Sequence, residues 1–582
     1  MKYKTYRNEI DGLRAIAVMA VIAFHFGYNQ NGFLGVDVFF VISGFLITGI
    51  IYKEINENNF SIVDFYLRRI RRIIPLSLFI GLIALLLGIF TMLPDDLENL
   101  AQSVIATNFF SNNILQAITT KNYWDVINEY KPLMHTWSLG VEEQYYLFYP
   151  FLFVIYGKKK QACLLFLLSV ITIASMALYL LPFQEYQKFY LIFFRFWELS
   201  VGGIAVIVLN NRCINRKYAN LLTFCLILML FFDFSIFNKE LSLLITVFLT
   251  LGILLISNNN DSSYQVILEN KFLGFIGKIS FSLYMWHQLV LSYVRYYLYQ
   301  ELGVKQLIGI FSLTLILSLI SYFLIEEPFR KKSRINTKMV LTIVGFIFCL
   351  TTITSLYIYS NAGILRDIPE LGITRSHAVR NIHGIYNARV CDYDKNFSLA
   401  NKINVLVIGN SFARDWANVL LESRYAKDLQ ISYIEEAVNN EKLKVRVEGS
   451  DIIFMVSGYL QDLRKLGIPE KKAWAIGTKN FGVNNGIFYN YKGRDYYIQR
   501  TKMEKGYMEN NDIMRREWKD KYIDYIGKVI DQNKTVPVFT PFNQFISQDT
   551  RHFTKAGAQY YAKLFESDLA IIFTNRLDMQ SK

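Results

Sequence analysis

Cysteine is scarce and poorly placed to build structure. Of five in 582 residues, Cys163, Cys213, Cys225 and Cys349 lie in or beside apolar runs, and only Cys391 falls in the long polar C-terminal part. A single cysteine there excludes an intradomain disulfide, and without a Cys-x-x-Cys or Cys/His cluster no metal site is expected. Internal repeats and low-complexity tracts are also missing. Met1 to Arg7 is charged and precedes an apolar stretch, as in a signal peptide. That stretch carries Asp11, Arg14 and His25, and no small-residue cleavage site follows it, so a retained first span is expected. The formal net charge of +14 is not spread as over a nucleic-acid groove, because the basic residues cluster in short loops between apolar segments.

What the chain does have is apolar length: 53% apolar and 16% aromatic residues, too much for one soluble domain of this size. Segments near 12–28, 36–53, 73–94, 143–157, 162–183, 190–210, 218–236, 241–257, 281–299, 306–325 and 339–360 approach the length that crosses a bilayer, roughly eleven spans. The segment at 143–157 is short and follows the polar run Trp137 to Glu143. Loops carrying Arg68, Arg69, Arg71 and Arg72, then Lys158 to Lys160, then Arg212, Arg216 and Lys217, then Arg330 to Arg334 fall on one side. By the positive-inside rule that side and the N-terminus are cytoplasmic, and an odd number of spans puts everything after about Ser360 outside. The expected organisation is a membrane domain over 1–360, a polar linker over 361–400 and an extracytoplasmic domain over 401–582.

In that last part, apolar runs at 403–408, 430–434, 451–456, 473–477 and 535–540 alternate with amphipathic stretches, which predicts an α/β fold with a mostly parallel sheet. The run Asn404 to Ile408 leads straight into Gly409-Asn410-Ser411-Phe412 and a helix-like stretch. Ser411 is thereby expected at the C-terminal edge of a parallel strand, where open α/β sheets place their ligands, with a helix N-terminus able to hold a developing oxyanion. The same letters also make an ordinary turn or N-cap. A second feature shifts the balance. Asp549-Thr550-Arg551-His552 lies late in the chain, offering an imidazole base and a carboxylate three residues earlier to orient it.

Together these elements resemble the SGNH hydrolase-like family, a flavodoxin-like α/β/α fold with Gly-x-Ser after the first strand and a late Asp-x-x-His. The resemblance implies Ser411 as nucleophile, His552 as base and Asp549 as its partner. The family's Gly-x-Asn-Asp oxyanion block is only half matched: Gly458 fits in Val456-Ser457-Gly458-Tyr459-Leu460, the asparagine is missing, and Asn480 is either its substitute or the cap of a turn.

Ionisable groups inside apolar segments are costly and mark functional cavities by default. His25 follows Arg14 by eleven residues, roughly 16 Å along a helix, which places it near the bilayer midplane. It is either functional or a neutral histidine bonded between helices. Asp37, Glu143 and His287 are further candidates. The cluster Arg68-Arg69-Ile70-Arg71-Arg72 either grips the phosphates of a nucleotide-bearing acyl donor or only sets topology.

The stretches Glu9 to Val18, Gly35 to Ile47, Trp137 to Gln144 and Glu327-Pro328-Phe329-Arg330 closely resemble the integral-membrane acyltransferase family 3. That family pairs an arginine with a histidine after ten residues, matching Arg14 and His25, and has an Arg-x-x-Arg motif matching Arg69 and Arg72. The resemblance implies transfer of acetyl from cytoplasmic acetyl-CoA to a carbohydrate at or beyond the membrane, with Arg14, Arg69 and Arg72 on the donor. The fusion of both parts looks like lipopolysaccharide and O-antigen O-acetyltransferases of the bacterial inner membrane. Peptidoglycan or exopolysaccharide O-acetyltransferases, a glycan or lipid transporter with an outer esterase, and an editor whose outer domain removes acyl groups stay open.

Overall fold

The computed structural model describes residues 7–119, 130–156, 161–208, 214–233, 237–256, 266–297, 302–375, 382–398, 401–456 and 460–580. The chain forms two compact units, Met1–Met92 with Asp96–Tyr359, and Ser360–Lys582 with Leu93–Asp95.

The first unit is helical. A helix lies on each of the eleven apolar segments, but only six stretches among the described residues are long and apolar enough to cross a membrane: Gly32–Asn56, Ile62–Thr91, Gln161–Leu180, Glu185–Val208, Val304–Arg330 and Thr337–Ser360. The others fall short for two reasons. Ala219–Phe231 has 13 residues and Lys239–Leu254 has 16, below a bilayer's span. Asn8–His25, Trp137–Tyr156 and Ser280–Tyr297 are long enough but carry charged and polar groups. The basic loops at Lys158 to Lys160 and Arg212 lie outside the described residues. Close helix packing depends on glycine at the contact of Gly35–Asn56 with Ile192–Val208: a Cβ on Gly44 would overlap the Leu199 carbonyl, and one on Gly202 the Val41 carbonyl.

Two expectations change here. Arg68 to Arg72 sit on a helix rather than in a loop, because Ile62–Thr91 begins at the Ser61 cap, whose side chain accepts from Asp64 N at 3.2 Å. The first apolar segment, expected over 12–28, is a helix over Asn8–His25 that ends at His25 itself.

The second unit is built on a five-stranded parallel sheet with strands β1 (Ile403–Ile408), β2 (Leu429–Ile434), β3 (Ile452–Val456), β4 (Ala473–Ile476) and β6 (Tyr522–Ile523) in the order β2-β1-β3-β4-β6. This is the doubly wound 2-1-3-4-5 order. Alternation along β1 explains the layers. Val405 and Val407 join a core with Trp416, Phe454, Tyr525 and Tyr561, while Leu406 and Ile408 join another with Leu443, Leu463 and Trp518. The run expected at 535–540 is not in this sheet. Its β7 (Thr535–Pro537) pairs antiparallel with β5 (Arg500–Lys502), and the two-residue β6 takes the sheet edge instead. The expected linker is part of the fold as well: Ile364, Ile368 and Leu371 are buried with Phe488, Val538 and Phe545, and Ile382–Ala388 is a helix.

Candidate functional sites

In the second unit, β1 ends at Gly409, whose φ of +129° and crowding against Val456, 2.8 Å from where a Cβ would stand, require glycine. Asn410 then caps the helix Ser411–Glu422, accepting from Phe412 N at 3.1 Å. Ser411 is the first residue of that helix and is 6% exposed. Its Oγ stands 2.8 Å from Nε2 of His552, and Nδ1 of the same ring stands 2.6 Å from Oδ2 of Asp549. The other carboxylate oxygen accepts from the backbone N–H of His552 at 2.8 Å and of Arg551 at 3.1 Å. Burial raises the Asp549 carboxyl's pKa, but the His552 ring and these two N–H groups outweigh it and hold the pKa below its ordinary value. Thr550 adopts φ +74°, strained for a β-branched residue, and its carbonyl accepts from Phe481 N at 2.7 Å.

With Asp549 ionised and bonded to Nδ1–H, the ring keeps the tautomer whose Nε2 can take a proton from Ser411. The chain Asp549, His552, Ser411 has the geometry of an activated nucleophile.

The oxyanion candidates fare differently. Gly458 lies outside the described residues. Asn480 is buried in a loop, its Oδ1 accepting from Gly482 N at 3.1 Å and Glu504 N at 2.9 Å, and its Nδ2 donating to Glu504 at 3.2 Å. These bonds hold Asn480 as a turn cap and use one of the two Nδ2 hydrogens. Sequence reasoning passed over two buried charges here. Asp415, one turn after Ser411, pairs with Lys479 at 2.6 Å. The signal was the spacing of Asp415 from Ser411 on one helix face. His383, on the helix Ile382–Ala388, is also buried, and its pKa is pushed down to about 4 by burial, against the pull of Asp549.

In the first unit, Arg14, Arg69 and Arg72 line one cavity of about 180 Å³ together with Arg330, Lys278, Asp11, Glu142 and Glu326. Arg68 and Arg71 are engaged elsewhere, the first with Glu54 at 2.9 Å and the second with the Ile335 carbonyl at 2.6 Å. The Arg-x-x-Arg spacing thus puts two guanidinium groups on the cavity side of one helix, and Nε of Arg69 is buried with no protein partner. Planar guanidinium donors facing a cavity suit phosphate groups.

Of the pair Glu142 and Glu143 it is Glu142 that lines this cavity, accepting from Ser43 Oγ at 2.7 Å. Glu143 is the neighbouring residue on the helix and does not line this cavity. Asp37 also lies apart from it. Its carboxylate is 3.0 Å from Arg195, which bonds Glu198 at 2.9 Å, a buried network joining Gly35–Asn56 to Ile192–Val208.

Arg14 and His25 are eleven residues apart, three turns, so they share a helix face. The His25 ring packs 5.1 Å from that of His287, which in turn is 5.3 Å from His135. His287 Nδ1 donates to the Tyr284 carbonyl at 2.6 Å. Tyr284 and Ser138 line the arginine cavity and bond each other at 2.7 Å, and the Tyr284 ring is 5.2 Å from His135 and 5.4 Å from His287. His135 is the member that sequence reasoning missed, two residues before Trp137.

Comparison with known proteins agrees with the first unit. A family model described as an acyltransferase domain matches residues 7–359. A protein of Staphylococcus aureus strain MSSA476 that carries the provisional name O-acetyltransferase is 33% identical over 362 residues, covering 57% of this chain and 59% of its own. O-acetyltransferase OatA of Staphylococcus aureus strain NCTC 8325 is 31% identical over 353 residues, covering 56% and 58%. The aligned region therefore spans under two thirds of either relative. No solved structure matches the chain. With the match extending over more than half its length, the chain belongs to the acyltransferase domain family.

Proposed function

We propose that this protein O-acetylates an exported cell-surface glycan by successive acyl transfers, first off the donor in the membrane unit and then by way of Ser411 in the second unit. The observation that carries this reading is the hydrogen-bonded line from Asp549 through His552 to Ser411, in a chain whose other unit belongs to an acyltransferase family. The first unit sits in the cytoplasmic membrane with its N-terminus inside, and the second, SGNH-like, lies outside.

Acetyl-CoA is the donor. Arg14, Arg69 and Arg72 hold its phosphates at the cavity they line. His25 takes the proton of a hydroxyl-bearing carrier as the carrier oxygen bonds to the acetyl carbon, the C–S bond breaks and CoA leaves as the thiol with that proton. The carrier hydroxyl is then the group that departs when Ser411 is acylated. In the second unit His552 takes the proton from Ser411 Oγ as that oxygen attacks the acyl carbon, and returns it to the departing group. A sugar hydroxyl then attacks the Ser411 ester, losing its proton to His552, and Ser411 regains a hydrogen as the acetylated sugar leaves. Ester exchange between hydroxyls is nearly thermoneutral, so exclusion of water decides between transfer and hydrolysis.

Two acceptor classes fit this chemistry: lipopolysaccharide, O-antigen or lipooligosaccharide, and peptidoglycan or exopolysaccharide. The named relatives come from Staphylococcus aureus, whose Gram-positive envelope is peptidoglycan-rich, and this favours the second class. The test is mass spectrometry of surface glycan from a deletion strain complemented with wild type, His25→Ala or Ser411→Ala. Loss of the ester in both variants supports the relay, and normal or heavier acetylation with Ser411→Ala contradicts it.

A further inference from the structure

Beside the Ser411 site lies a buried ion pair that the mechanism does not use. Asp415 and Lys479 are both 1% exposed and 2.6 Å apart. Asp415 stands on the helix that Ser411 opens, one turn further along. The oxygen that faces Lys479 also accepts from the backbone N–H of Phe553 at 3.1 Å, and Phe553 directly follows His552. Lys479 comes from the loop after β4. Its ammonium is 3.9 Å from the Phe412 ring centre and 4.8 Å from that of Phe553, the residues immediately after the nucleophile and the base. Burial lowers the Lys479 pKa, and Asp415 opposes that.

From this geometry we infer that Asp415 and Lys479 are positioning residues, which lock the helix bearing Ser411 to the turn bearing His552 and so set the distance between Oγ and Nε2. One carboxylate oxygen holds both the loop cation and the N–H next to the base, and the cation packs on rings flanking both reacting residues. A buried pair between unlinked elements has a strict geometry, because neither charge has water to turn to. The inference rests on the reading of Ser411 as an acyl acceptor.

The test uses the full chain in detergent, with p-nitrophenyl acetate as acyl donor and p-nitrophenolate release as the signal. Variants are Lys479→Met, Asp415→Asn, the double variant, Lys479→Arg and Ser411→Ala. Lys479→Met and Asp415→Asn are expected to lower kcat at least tenfold with KM within twofold of wild type, and Lys479→Arg to recover kcat to within threefold. The double variant leaves no buried charge unpaired, so it keeps the comparison if a single variant does not fold, and its kcat is also expected to be at least tenfold low. A folded double variant with wild-type kcat, or a drop in which Lys479→Arg is as slow as Lys479→Met, overturns the positioning role. Retained turnover in Ser411→Ala overturns the reading of the nucleophile itself, an outcome separate from either of these.

Discussion

The two units keep their chemistry in different ways. In the second, three side chains meet at 2.6 and 2.8 Å on a turn and a helix start. In the first, a family match extends over residues 7–359, yet the polar groups are spread around a cavity and a set of rings about 5 Å apart. A site that performs the chemistry on its own side chains is recognisable from geometry. A site that must first embrace a large donor is recognisable mainly from its charge pattern, because its hydrogen bonds belong to the ligand.

The largest effects test whether both units serve one product. Ser411→Ala and His25→Ala are each expected to reduce glycan O-acetylation at least about 100-fold, since removing a nucleophile or base leaves only binding and oxyanion stabilisation. Asp549→Asn keeps the shape but releases the ring tautomer, and a fall of about 10³-fold in p-nitrophenyl acetate turnover is expected.

Stability measurements sharpen the contrast between charges that act and charges that hold. Arg195→Ala leaves the Asp37 and Glu198 carboxyl groups in the interior without their shared cation and is expected to cost about 3 kcal/mol, measured as thermal unfolding in detergent. His383 gives the second unit a pH dependence of its own. Its pKa falls from an ordinary value near 6.5 to about 4 in the folded chain, so the proton binds the unfolded chain more readily. Stability is therefore full above about pH 6.5 and declines towards pH 4, by about 3 kcal/mol at most. His383→Gln is expected to flatten that slope, while the depressed Asp549 carboxyl takes its toll only at lower pH, below the ordinary carboxylate range. Asn480→Ala is the smallest case: about 2 kcal/mol of stability from lost loop bonds, with turnover within threefold, whereas loss of an oxyanion donor costs about 10²-fold or more.

The readable part of this protein was the local part. Strand β1, the glycine turn and Ser411 are contiguous, and Asp549 precedes His552 by three residues, so one turn decides their meeting. Strand β1 was legible through its apolar run, but the run at 535–540 could not say which sheet receives it. Glu142 and Glu143 are adjacent letters, and only the phase of the helix Trp137–Tyr156 decides which one faces the cavity. The arginines of Ile62–Thr91 read as a loop because charge lowers local hydropathy, although a helix can point them into a cavity. The spacing of Asp415 from Ser411 was legible, but its pairing with Lys479 was not, because two common residue types far apart in sequence meet only once the sheet has brought the helix and the loop after β4 together.

The central claim is that an acetyl group reaches Ser411 by way of the membrane unit. Membrane vesicles carrying wild type, His25→Ala or Ser411→Ala would be given radiolabelled acetyl-CoA on the cytoplasmic face, and the peptide containing Ser411 followed by mass spectrometry together with label in the glycan. The account predicts acetylated Ser411 in wild type only, with glycan labelling lost in both variants. Labelled glycan from the Ser411→Ala vesicles would contradict it.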